Sequence, residues 1–320
     1  GRRFASSNHD SGEHMNVMVV GGCGYIGSVL VPKLLEAGHN VTVIDLMWFG
    51  NFLEPHRALT VLRVDIRGHV PLAGIEAIIH LAGVANDPCC ELDAKLSWEI
   101  NALATMRLAD NAVRCGVKHF IYASSGSVYG IKGNTEVTEE EPCVPVSEYN
   151  KTKMVAERAL LSYAGEMAVQ ILRPGTVCGY SPRQRLDITV NQMTIQALTG
   201  NKIELGGPGL MRANIHIDDM VAAYLFLLGH PKLTGTFNAA FENISLAQIA
   251  ETVQSAIRCE IVEKEIADPR SYRIDSSKLL RAGFRPVKTV KDAIEDLRKA
   301  FTAGKFKNGP ECYNLRSMPK

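Results

Sequence analysis

Between a short apolar run and a helix-like pattern the chain places four glycines, in VMVVGGCGYIGSVLVPKLLEAG at residues 17–38. Gly21, Gly24 and Gly27 form the spacing GxxGxxG. So tight a turn needs backbone angles that side chains forbid. It also lets a phosphate approach the main chain where a Cβ would block it. The helix start then offers unpaired N–H groups and a partial positive charge to a pyrophosphate. The third glycine allows helix and strand to pack closely. A glycine pattern alone says little, but this one lies in a strand-to-helix turn. Asp45 ends the next strand-like run, VTVID, 18 residues past Gly27. An acid at that distance takes the ribose hydroxyls of an adenosine and repels a 2′-phosphate, so NAD is the expected cofactor rather than NADP.

The remaining pattern supports this reading. Continuous apolar runs at 17–20, 41–44, 60–64, 77–80, 119–123 and 169–172 read as strands buried on both faces. Helical periodicity over 25–37, 92–115 and 149–163 alternates with them. The expected fold class is α/β, a Rossmann-type doubly wound parallel sheet followed by a smaller mixed α/β lobe. The expected division is a tag or loose tail at 1–14, the NAD-binding domain at 15–175 with later segments returning to it, the smaller substrate-binding lobe at 176–303, and a loose tail at 304–320. In the smaller lobe, helices are expected at 188–198, 218–228, 245–257, 276–280 and 290–301. Short strands are expected at 202–205, near Ile215, and at 236–239 and 261–263.

A formal net charge of +1 creates no field to attract a polyanion, so neither nucleic acid nor a membrane surface is an expected partner. No apolar run approaches ~18 residues, so no bilayer span is expected. The eight cysteines form no CxxC or Cys/His ligand spacing, so neither a metal site nor disulfides are expected, and the location expected is cytoplasmic. Cys89, Cys90 and Cys178 are expected to be core or pocket-lining thiols.

Tyr149 and Lys153 form YxxxK at the start of a helix, which stacks them on one face. A free phenol, with a pKa of about 10, is a poor base at neutral pH. A nearby ammonium stabilises the phenolate, so Lys153 is expected to lower the pKa of Tyr149 and tune it as an acid/base. Upstream, YASSGSVYG at 122–130 leaves a strand, so its hydroxyls sit at a carboxyl end beside the cofactor crevice.

The glycine turn, HLAG at 80–83, Asn101, SSGSVYG at 124–130, YxxxK and LRPGTVCG at 172–179 occur in one order. The set resembles the extended short-chain dehydrogenase/reductase family, in its NAD-dependent nucleotide-sugar epimerase/dehydratase branch, from Met15 to about Phe301. The resemblance implies Ser125, Tyr149 and Lys153 as catalytic residues, with Ser124 one position off. It implies dinucleotide contacts from Gly21, Gly24, Tyr25, Ile26, Gly27, Asp45, Leu81, Ala82, Asn101, Tyr149, Lys153 and Pro174, with Asp65 and Ile66 at the adenine. It implies a nucleotide-diphosphate sugar held by Ser125, Ser127, Arg185, Asn191, Arg212 and Arg270. The helical segments 92–115 and 149–163 match those that form a four-helix homodimer interface in relatives.

Dehydratases of this branch carry an Asp-Glu pair, and decarboxylases a Glu, where this chain has Gly126 and Ser127. Neither residue can serve as an acid or base for losing water, so the expected reaction is epimerisation, at C4, through a transient keto-sugar. A nucleotide-sugar 4-dehydrogenase or ketoreductase is the alternative. A silent dinucleotide sensor would be expected to have lost the Tyr or the Lys.

Overall fold

The computed structural model describes residues 14–133, 135–265 and 271–318. Of the expected segments, nearly all of the N-terminal tail and the site residue Arg270 lie outside the described residues.

Seven parallel strands form the main sheet. The first five are β1 (Asn16–Val20), β2 (Asn40–Asp45), β3 (Leu59–Arg63), β4 (Ala77–His80) and β5 (His119–Ala123). The strand Ala168–Pro174 follows β5, and Gly235–Ala239 closes the edge. The spatial order is Gly235–Ala239, Ala168–Pro174, β5, β4, β1, β2, β3. Strand β1 pairs with both β2 and β4. The strand order therefore reverses at β1, and a crevice opens beyond the carboxyl ends of β1 and β4, where doubly wound sheets bind ligands.

The apolar runs do not alternate because both faces of the sheet are covered. Val17 and Val19 pack with Leu30, Val31 and Leu34 of α1 (Gly27–Glu36) and with Tyr224 and Leu227 of the helix Ile217–Leu228. Met18 and Val20 face the opposite layer, with Leu108, Ala112, Ala156 and Leu160. Those four side chains come from two helices named below.

The segment expected as one helix over 92–115 is divided. Helix α2 (Asp87–Leu92) carries Pro88 in its first turn behind an Asn86 cap, and α3 (Ala94–Trp98) follows. Asp93 separates them in an extended conformation and caps α3 by accepting from Leu96 N. A π-helical turn, Glu99–Ala104, then leads into α4 (Thr105–Arg114). Helix α5 (Glu148–Leu161) begins at Ser147, whose Oγ accepts from Asn150 N at 3.2 Å.

The smaller lobe surrounds its own apolar cluster, built from the helices Thr189–Gly200, Leu246–Ala256 and Val290–Thr302. The tail expected to be loose is docked. It forms a turn at Pro310–Cys312 and a short helix at Asn314–Ser317. Cys312 and Met318 are buried, and Met318 reaches the core beneath the main sheet. Its elements are too short to leave a periodic signal. Among the described residues no helix is long and apolar enough to cross a membrane.

Candidate active site

The glycine turn has the geometry its sequence requires. Gly21 sits at φ +83°, and a Cβ there would lie 2.6 Å from the backbone N of Ala82. At Gly27 a Cβ would come within 2.4 Å of Gly22 O, so α1 packs directly on the turn. Asp45 ends β2 with Oδ2 accepting from Cys23 N at 3.0 Å and Oδ1 from Met47 N at 2.6 Å. Burial pushes its pKa up, and the two backbone donors oppose that shift.

One cleft is lined by Gly21, Gly24, Asp45, Asp65, Ile66, Leu81 and Ala82, which brings seven of the expected cofactor residues together. Trp48 and Phe49 complete its wall. They were not singled out from the sequence, because an aromatic pair in a loop carries no spacing signal. Asp65 is bound to Arg67 at 2.7 Å, and this hydrogen-bonded guanidinium holds its pKa down.

Three expected residues are placed differently from the others. Ile26 is the N-cap of α1. The side chain of Tyr25 runs into the smaller lobe, where Oη donates to Gly179 O at 2.7 Å. Asn191, expected at the sugar or diphosphate, is wholly buried with its amide engaged inside the protein. Its Oδ1 accepts from Gly179 N at 2.9 Å, and its Nδ2 donates to Tyr25 Oη and Arg185 O at 3.1 and 2.8 Å. It ties the glycine turn to the loop at 179–185.

Asn101 lies on the π-turn. Its Oδ1 accepts from Val84 N at 2.8 Å, and its Nδ2 donates to Val84 O and Thr152 Oγ1. It therefore pins the loop after β4 to α5. A Cβ at Gly83 would meet Asn101 Oδ1 at 2.9 Å and Lys153 Nζ at 3.5 Å.

Lys153 is buried, with Nζ donating to Ala123 O at 2.8 Å and lying 4.8 and 5.9 Å from the ring centroids of Tyr122 and Tyr149. Burial lowers its pKa to about 8, against the raising influence of Cys90 and Glu157. Tyr149 departs from expectation. Burial drives its phenol up, and the opposing influences are the Arg185 charge and a hydrogen bond with Ser125. Desolvation dominates both groups, pushing each toward its neutral form.

The two candidate serines separate clearly. Ser124 Oγ donates to Glu157 Oε1, beside a buried ion pair in which Arg173 Nη2 meets Glu157 Oε2 at 2.6 Å. Ser125 instead faces Tyr149 and shares a 2.7 Å hydrogen bond with Ser127 Oγ. Ser127 in turn donates to Asn150 Oδ1 on α5. Glu157 continues the Tyr149–Lys153 face by one further turn.

Position 126 is crowded. A Cβ there would lie 2.3 Å from Ile274 Cδ1 and 3.0 Å from Pro174 O. Pro174, the last residue of its strand, thus stands against the Ser125 turn.

Arg212 is buried at the start of the strand Met211–His216. The segment after Arg270 lies beside it, since Ser271 Oγ accepts from Met211 N at 3.1 Å. Arg185 is paired with Asp187 at 2.9 Å. His216 caps the helix Ile217–Leu228 by accepting from Asp218 N at 3.0 Å. Cys178 is fully buried, and burial raises its pKa. Burial also raises the pKa of Cys89, to about 11, and that of Cys90, whose Sγ donates to Val84 O at 3.3 Å.

Known proteins resemble this chain. A dTDP-glucose 4,6-dehydratase of Streptomyces griseus is 27% identical over 300 residues, covering 87% of this chain and 92% of the relative. A UDP-glucose 4-epimerase of Corynebacterium glutamicum is 26% identical over 321 residues, covering 90% and 96%. The structure of a Thermus thermophilus UDP-glucose 4-epimerase in complex with NAD superposes with a TM-score of 0.78 at 26% identity, covering 89% of this chain and all of that one. Residues 17–240 match the family described as NAD dependent epimerase/dehydratase, and with the glycine cleft, the Tyr149–Lys153 face and the seven-stranded sheet in place, the chain belongs to that family.

Proposed function

We propose that the chain is an NAD-dependent nucleotide-sugar epimerase acting at C4 through a transient keto-sugar. The observation that carries this reading is the Ser125–Tyr149–Lys153 cluster beside a position, 126, that carries no acid. The cleft fits the cofactor, because Gly21 leaves open the space a Cβ would fill and Asp45 offers its carboxylate at the end of β2. Gly21, Gly24, Asp45, Asp65, Ile66, Leu81 and Ala82 would hold the dinucleotide. Bound there, NAD would supply reversible hydride chemistry at the sugar carbon.

The chain's own residues handle the proton and the geometry. As its phenolate, favoured by the neighbouring Lys153 charge, Tyr149 would take the proton of the sugar hydroxyl and, as the resulting phenol, return it to the keto oxygen. Ser125 hydrogen-bonds the same oxygen and orients it toward the phenol. Lys153 supplies positive charge beneath the phenol, anchored by Ala123 O. Arg212 and Arg270 grip the diphosphate with their guanidinium forks. Gly126 and Ser127 offer no acid to expel water, so the keto-sugar is reduced again rather than dehydrated.

A cytoplasmic homodimer accompanies this reading. Eight free cysteines suit a reducing compartment. Leu103 and Met106 near the start of α4, with Leu161 at the end of α5, expose apolar surface on the face expected to pair as a four-helix bundle. Light scattering that returned only a monomer would refute the dimer.

The test is a panel of UDP-, GDP-, CDP- and dTDP-sugars assayed for both epimer and NADH. Epimer formation without net NADH is expected. In Tyr149→Phe, turnover should fall roughly 10²–10⁴-fold with NAD still bound. Stoichiometric NADH release would favour the dehydrogenase, and loss of water or carbon dioxide would overturn the reading.

A further inference from the structure

Asp187 receives hydrogen bonds from three separate parts of the chain. Its Oδ1 accepts from Arg185 Nε at 2.9 Å. Its Oδ2 accepts from the backbone N of Asn314 at 3.0 Å and from Asn86 Nδ2 at 3.3 Å. Both members of the Arg185–Asp187 pair are largely buried. The Nε contact leaves the two Nη groups of Arg185 without a hydrogen-bond partner among the described residues. A buried guanidinium held only by Nε keeps four N–H donors for something else.

Two features connect the Arg185–Asp187 pair to the reacting end of the site. The charge of Arg185 acts on the Tyr149 phenol. Asn86 caps α2, and the next residue, Asp87, accepts from Ser147 Oγ, the cap of the helix that carries Tyr149. Asp187 is thus linked through α2 to the start of α5.

The third donor to Asp187 belongs to the docked tail. Leu186 N donates to Cys312 O at 2.8 Å, and Arg183 Nη2 donates to Asn314 Oδ1 at 2.6 Å. Arg183 lies 4.0 Å over the ring of Phe49, which lines the dinucleotide cleft. The tail grips residues 183, 186 and 187, and Asn314 makes two of those contacts, one by its side chain and one by its N–H.

We propose that Asp187 is a positioning residue, set by the N–H of Asn314, that aims Arg185 at the sugar, so that the C-terminal tail forms part of the substrate site. This rests on the nucleotide-sugar reading above. Arg185 is the group that meets substrate, while Asp187 and Asn314 act through it.

The backbone N–H can be removed with little disturbance. Asn314 is the first residue of its helix, where proline is tolerated, and Tyr313 before it is extended at φ −121°, ψ 113°. Asn314→Pro removes both the N–H to Asp187 and the amide to Arg183. Asn314→Ala removes only the amide. Asp187→Ala removes the acceptor, and Arg316→Ala, an exposed change on the same short helix, is the control.

The KM for the nucleotide sugar should rise roughly ten-fold or more in Asp187→Ala and in Asn314→Pro, as loss of a charge-assisted hydrogen bond implies. It should change less than about two-fold in Arg316→Ala and rise less in Asn314→Ala than in Asn314→Pro, with NAD affinity unaltered in Asp187→Ala. The double variant Asp187→Ala/Asn314→Pro should be no worse than Asp187→Ala alone, because both break one relay. A tail that only stabilised the fold would give additive losses. Additive effects, or an Asn314→Pro variant equal to Asn314→Ala, would overturn the proposal.

A second readout needs no turnover. Arg185 should react faster with phenylglyoxal, followed by mass, in Asp187→Ala and Asn314→Pro than in the parent or Asn314→Ala. Equal rates in all four proteins would refute the relay. A parent protein that converts no nucleotide sugar would refute the functional reading, and the labelling rates would still decide the relay.

Discussion

Replacing Glu157 by alanine should damage both stability and turnover. Glu157 lies two turns beyond Tyr149 on the same face of α5. Its carboxylate meets Arg173 through two contacts, Nε at 2.9 Å and Nη2 at 2.6 Å, and also accepts from Ser124. Glu157 and Arg173 are 2% and 6% exposed, so cutting the pair strands a guanidinium in the interior. Breaking a buried pair from one side costs about 3–5 kcal/mol. At about 2–4 °C per kcal/mol for a sizeable domain, the Tm should fall roughly 6–20 °C. The same carboxylate joins α5 to the end of β5 and to the neighbouring strand, which sets the distance from Tyr149 to Ser125. A shift of about 1 Å there would reduce kcat about a hundred-fold. Glu157 also raises the pKa of Lys153, so its removal should move any Lys153-dependent loss of activity to lower pH. Differential scanning fluorimetry and kcat measured well below the new Tm would follow both effects. The double variant Glu157→Ala/Arg173→Met should recover stability by leaving no stranded charge. An unchanged Tm for Glu157→Ala, or a double variant worse than the single, would refute the reasoning.

Three further outcomes follow from the geometry. Lys153 has a folded-state pKa of about 8, depressed from 10.5, so its ammonium is lost as pH rises through 8 and kcat/KM of the free enzyme should decline above that point. The unfolded chain keeps that proton to about pH 10.4, so the parent's stability relative to Lys153→Met should rise between pH 8 and 10.4, a difference that pH-dependent melting would detect. Gly21→Ala should weaken NAD binding at least ten-fold, read by quenching of Trp48 in the cleft wall, because φ is +83° and the new Cβ would strike Ala82 N. Gly126→Asp should lower stability by about 1–3 kcal/mol and yield no dehydrated product, and adding Ile274→Ala should restore much of the loss, as melting curves and product mass would report.

The chain displays its sheet openly because strands covered on both faces are apolar at nearly every position, as in VMVV at 17–20. The glycine turn was equally legible, since its spacing is forced by backbone angles and close approach. Tyr149 and Lys153 stood out as neighbours on one helical face, and one more turn would have reached Glu157. Its partner Arg173 could not be inferred, because that pairing depends on how α5 lies against a strand. Asn191 misled for a related reason. An amide near a helix start suits a ligand or the interior equally, and only the path of Tyr25 decides between them. The break at Asp93 was not read from the sequence, because the helical period runs through it and conceals the change of direction. The tail escaped notice because a turn and a four-residue helix have no period to detect.

The strand Gly235–Ala239 borders the sheet, yet the chain reaches it only after crossing much of the smaller lobe. A ribosome must therefore deliver the chain through Ala239 before the first domain's sheet can be finished. Until then Ala168–Pro174 stands as a bare margin, open to any other extended chain. Cutting at residue 175 would not release a self-sufficient nucleotide-binding module. It would produce a six-stranded remnant lacking Phe237, whose exposed border invites aggregation.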